Sequence, residues 1–110
     1  MTVSPLVSHG EPVPKRIEKL LAGMRANTKA VSFSDAMKVA EYFFGEPRQA
    51  GRGSSHYHFK MPWALNPRVN LQDDGGGKAK SYQVRQLLDA VDKLQLERAN
   101  AQAAKNERQE

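Results

Sequence analysis

The sequence has 110 residues, 39% of them hydrophobic, with no cysteine and a formal net charge of +5. A chain of this length supports one modest core. The lack of cysteine excludes disulfides and thiolate metal sites, and no apolar run approaches the roughly 20 residues of a membrane span. The positive charge is concentrated in residues 15–60, where nine Lys/Arg stand against four Asp/Glu. Such a balance suits a domain drawn to a polyanion, nucleic acid being the commonest, although ordinary solubility charge reads the same way.

In chain order, residues 1–13 carry Pro5 and Pro12 and no helical period, which predicts a flexible lead. The lead lacks the basic start and apolar centre of a secretion signal, so a cytoplasmic protein is expected. Pro14 suits the first turn of a helix, and Ile17, Leu20, Leu21 and Met24 form one helical stripe over about residues 15–25. Ser32 is placed to cap a second helix, whose apolar face is Phe33, Ala36, Met37, Ala40 and Phe44, widened by Val39 and Phe43. Gly45 and then Pro47 predict its end.

The period then changes from helical to alternating. Strands are expected near 47–51, 55–60 and 68–72, the second reading "SHYHFK" and the third "RVNLQ". The stretch "DDGGG" at 73–77 predicts a loop. A third helix follows, capped by Ser81, with its stripe at Val84, Leu87, Leu88, Val91 and Leu94. After Glu97 the sequence is Ala-rich and charged, a tail that either extends the helix into solvent or frays. The expected fold class is α+β. A small three-stranded antiparallel sheet has helices on one face, in a single domain over 14–96 with the tail at 97–110. Tyr57, Phe59, Val69 and Leu71 are its expected buried side, and His56, His58, Lys60, Arg68 and Asn70 its water-facing side.

Three roles are open to the two histidines on that outer side. Metal binding needs further ligands, and the only other histidine, His9, lies in the lead. Either ring can be a plain solvent-facing residue. The third role is proton transfer near neutral pH. An RNA strand cleaves when a base takes the 2′-hydroxyl proton, an acid protonates the leaving 5′-oxygen and cations stabilise the phosphoryl oxygens, so a histidine beside Lys or Arg is a minimal kit.

The order of short motifs adds to this. Ser55, His56, Phe59, Lys60 and Pro62 are followed by "RVNLQ", then by Gly77 and Lys78, then by "QVRQLLDAV" with Arg85 and Leu88. This succession, over about residues 33–96, resembles the HicA-type toxins of bacterial HicAB toxin–antitoxin modules. Ser54 stands where the family usually has glycine, and the N-terminal helix and charged tail are additions. The resemblance implies a double-stranded-RNA-binding-like fold. It also implies a metal-independent mRNA endoribonuclease with His56 as the catalytic residue, and a cognate HicB-type antitoxin as partner. No cofactor and no membrane are implied. Lys60, Lys78, Lys80 and Arg52 are the candidate contacts to the RNA backbone. "DDGGGKAK" lacks the spacing and terminal Ser/Thr of a Walker phosphate loop. Trp63 is open to base stacking or to covering the core, and Arg85 to pairing with either phosphate or the Asp73–Asp74 loop.

Overall fold

The computed structural model describes residues 13–49 and 56–108, and side chains as far as residue 103. Most of the lead, Arg52 and Ser55 lie outside the described residues. The first helix, α1 (Lys15–Ala26), buries Ile17, Leu21 and Met24, three of the four residues in the expected stripe. A single 3₁₀ turn at Thr28–Ala30 leads to α2 (Phe33–Phe44). Ser32 caps α2, its hydroxyl accepting from the Asp35 N–H at 3.0 Å. At the other end Gly45 takes φ +85°, the left-handed region a side chain would resist, and its N–H bonds the Glu41 carbonyl at 2.9 Å.

Three short strands follow, β1 (Arg48–Gln49), β2 (His56–Phe59) and β3 (Val69–Gln72), in the order β1-β2-β3 with both pairings antiparallel. The register sets His58 opposite Asn70 and Phe59 opposite Val69, with Arg48 opposite His58 on the other side. The fold is therefore α+β, with three α-helices and a three-stranded antiparallel sheet among the described residues. Phe59, Val69 and Leu71 point into the core and Tyr57 is half-buried against Phe33, whereas His56 and His58 are exposed.

The last helix, α3 (Ser81–Arg108), supplies Val84, Leu87, Ala90, Val91 and Leu94 to the same core and packs on β3. Its start departs from expectation. Ser81 is the first helical residue rather than the cap, and the Lys80 carbonyl takes the cap position by accepting from Gln83 and Val84, both at 3.0 Å. Beyond Leu94 residues 95–101 are exposed, yet the helix continues, so the tail is helical to Arg108. Arg25 of α1 clasps Asp92 of α3, Nη2 donating to Oδ1 at 2.8 Å and Nη1 to Oδ2 at 3.3 Å. Both groups are about half exposed, which limits the pair to about 1 kcal/mol.

One buried side chain is poorly placed. Gln83 is 5% exposed, and among the described residues its Oε1 has no hydrogen-bond partner, while its amide makes a 3.4 Å contact with the Tyr82 hydroxyl. An unpaired buried acceptor costs about 1–3 kcal/mol. Gln83→Leu is therefore expected to raise the midpoint of urea unfolding, by about 1 kcal/mol of stability. An unchanged or lower midpoint would show that the amide is satisfied.

Candidate nucleic-acid interface

The outer face of the sheet is built by strand alternation. On β2 the even-numbered residues turn away from the core, so His56 and His58 stand about 7 Å apart along one strand. Antiparallel pairing then sets Arg48 of β1 and Asn70 of β3 on either side of His58, giving a row Arg48–His58–Asn70 across the sheet. Directly opposite residues share a face, with Cα atoms about 4.5–5.5 Å apart. His58 Nδ1 is hydrogen-bonded to the side-chain amide oxygen of Asn70, Oδ1. One step along, His56 stands opposite Gln72, at the end of the sheet from which the glycine loop leaves.

That loop folds on its two aspartates. Asp73 Oδ1 accepts from the Gly75 and Gly77 N–H groups at 2.7 and 3.0 Å, and Asp74 Oδ1 accepts from Gly76 and Lys78 at 2.7 and 3.2 Å. Gly77 lies at φ +87°, and its carbonyl accepts from Phe33 N–H at 2.9 Å, which fastens the loop to the start of α2. The loop thus turns its N–H groups onto its own carboxylates, in keeping with its lack of a Walker pattern. Lys78, exposed, bridges Ser32, and Lys80, half-buried, follows at the entry to α3.

The N–H groups of Gly76 and Lys78 hold the Asp74 carboxyl below the usual carboxylate range. A carboxyl that protonates only at lower pH when folded stabilises the fold fully above its unfolded value near 4. That contribution fades as the pH falls through the folded value. Asp74→Ala is accordingly expected to lower the melting temperature at pH 7, with the difference from the wild type closing below about pH 4. A gap that stays constant down to about pH 2 would place the effect in the loop backbone instead.

The remaining expected residues separate. Lys60 lies just past β2, at the end of the strand remote from His56. With Phe43, Phe44, Met61, Leu94 and Arg98 it lines a shallow groove of about 350 Å³ between sheet and helices. Arg68 turns back to the loop, Nη2 donating to the Ala64 carbonyl at 2.9 Å. Trp63 covers the core: its indole N–H donates to the Pro67 carbonyl at 2.7 Å, and its ring meets Phe44 edge-on at 6.2 Å. Lys93 Nζ sits 5.1 Å from the Trp63 ring centroid. Arg85 is exposed on α3 beside Arg25, Asp89 and Asp92, while Asp73 and Asp74 are engaged within their loop. Arg52 is outside the described residues.

Arg48 and Asn70 gain their place only through strand register. Asn70 was visible in sequence as an outer-face residue, but nothing there paired it with His58. Among the described residues no three His, Asp or Glu side chains gather in a way that could hold a metal ion, and no helix is long and apolar enough to cross a membrane. The chain matches no protein-family model, no curated protein and no solved structure.

Proposed function

We propose that the protein is a HicA-like ribonuclease toxin, an endoribonuclease that cleaves mRNA without a metal ion, on a double-stranded-RNA-binding-like fold. The observation that carries this reading is the division of the sheet. One face is packed into the core, and the other presents exposed His56 and His58 along β2, with Arg48 and Asn70 on either side of His58, on a basic domain. Phosphate groups bring RNA to such a surface, and imidazole is the side chain whose ordinary pKa suits proton transfer near neutral pH.

His56 is the proposed catalytic residue. The 2′-hydroxyl of the RNA attacks the adjacent phosphorus while the 5′-oxygen leaves, and a histidine at the phosphate moves a proton to or from one of these oxygens. Lys78 and Lys80, which follow the loop at the His56 end of the sheet, hold the flanking backbone, and Arg52 and Lys60 extend the contact. The proposed partners are mRNA and a cognate HicB-type antitoxin covering this face, and the proposed location is the cytoplasm.

Incubation of a long single-stranded RNA with the purified protein in excess EDTA tests the reading. Fragments are expected, at a rate that falls steeply with added salt as phosphate contacts are screened. Salt-sensitive binding without fragments would replace the enzyme by an RNA-binding module, and no affinity at moderate salt would leave a protein-interaction domain.

A further inference from the structure

We propose, on the ribonuclease reading just given, that His58 is the second proton-transfer residue, with Asn70 as its positioning residue. The sequence alone allows His58 to be a plain solvent-facing ring. The structure gives that ring a partner: Nδ1 meets the side-chain amide oxygen of Asn70, Oδ1, across the β2–β3 pair. An amide oxygen has lone pairs and no proton, so the nitrogen facing it carries the hydrogen. The neutral ring is thereby held as the Nδ1–H tautomer, and Nε2 keeps the lone pair. Orientation of an imidazole through one nitrogen, with chemistry at the other, is how histidine bases are generally set.

The pair completes the proton balance of the reaction. Nε2 of His58 takes the 2′-hydroxyl proton as the 2′-oxygen bonds to phosphorus. The bond from phosphorus to the 5′-oxygen breaks, and protonated His56 gives its proton to that oxygen. The products are a 2′,3′-cyclic phosphate and a 5′-hydroxyl. One histidine ends with a proton gained and the other with one lost, and exchange with solvent restores both. A spacing of about 7 Å leaves room for one phosphodiester between the rings. The groups facing His58 are Arg48 from β1, Asn70 from β3 and His56 along its own strand, while Lys60, past the strand end, lines the groove beside Phe44 and Arg98, and the helices lie on the other side of the sheet. Arg48, directly opposite, is placed to hold a phosphoryl oxygen.

The test is RNA cleavage in excess EDTA, from about pH 5 to about pH 8, by the wild type and by the His56→Ala, His58→Ala, His58→Gln and Asn70→Ala proteins. RNA binding is followed in parallel by fluorescence anisotropy. The wild type is expected to give a bell-shaped profile. Both His58 variants bind RNA as the wild type does, cut about 10²–10⁴-fold more slowly, and lose the limb that reports the base. Asn70→Ala cuts about tenfold more slowly and keeps both limbs. Long-range proton–nitrogen correlation spectra of neutral His58 show Nδ1–H in the wild type and a shift toward Nε2–H in Asn70→Ala. If the His58 variants cut at the wild-type rate with an unaltered profile while His56→Ala is inactive, His58 has no part and a single-histidine ribonuclease remains. Nε2–H in the wild type overturns the positioning by Asn70. A wild type that cuts nothing removes the ribonuclease reading and this inference with it, a result visible before any variant is made.

Discussion

His56→Ala is expected to lower RNA cleavage by about 10²–10⁴-fold, the usual contribution of a positioned acid or base, while leaving the thermal unfolding curve in place. The two halves of this expectation have separate origins. His56 is exposed at the end of β2 and its partner in register, Gln72, also faces away from the core. Truncating it opens no cavity, so stability changes by no more than about 0.5 kcal/mol. The proposed chemistry has no such reserve, because without His56 its proton donor would be water. Single-turnover cleavage beside a melting curve measures both halves on one sample. Undiminished cleavage by a folded His56→Ala protein would move the catalytic role to another residue, His58 being the nearest.

The largest effect on the fold is expected at the opposite side of the sheet. Leu87→Ala removes a fully buried side chain from the α3 stripe that packs on β3, between Val84 and Val91, which are also fully buried. Truncation of such a leucine loses its transfer free energy and leaves a partly collapsed cavity, a cost of about 2–5 kcal/mol. Domains of this size have about 5–15 kcal/mol in total, so the variant should lose a large part of its stability in a urea titration. Leu96→Ala, about two and a half turns along and 61% exposed, serves as the contrast, with a change of no more than about 0.5 kcal/mol. A loss below about 1 kcal/mol at Leu87 would mean that α3 is not seated on the sheet as described.

The helices were legible because their signals are local. Ile17, Leu21 and Met24 recur at helical spacing and are buried together, and Ser32 and Gly45 mark the ends of α2 by chemistry that acts within four residues. Alternation alone was enough to sort Phe59, Val69 and Leu71 inward from His56 and His58.

What escaped was set by longer-range geometry. Register between β2 and β3 depends on the path of the connection from Lys60 to Arg68, and only register brings Asn70 to His58. α3 starts one residue before the point that a serine cap at Ser81 predicts: a serine hydroxyl is a common cap, but here Lys80 holds that position, its backbone carbonyl accepting the helix's opening bonds from Gln83 and Val84. Trp63 was open in sequence between base stacking and the core, since an indole suits both; its bond to the Pro67 carbonyl and its contact with Phe44 place it on the core. Lys60 shares the parity of the histidines. The strand ends before it, however, and the chain carries it to the groove beside Phe44 and Arg98.

The central claim is that the outer face of this sheet cuts RNA by proton transfer alone, and the chemistry of the fragment ends tests it most directly. RNA is digested by the wild-type protein in excess EDTA and the new termini are identified by mass spectrometry. The account predicts 2′,3′-cyclic phosphate and 5′-hydroxyl ends, because the attacking nucleophile is the RNA's own 2′-oxygen. Fragments bearing 5′-phosphate and 3′-hydroxyl ends, or fragments that disappear when EDTA is added, would contradict it, since both require an activated water or a metal ion rather than two imidazoles.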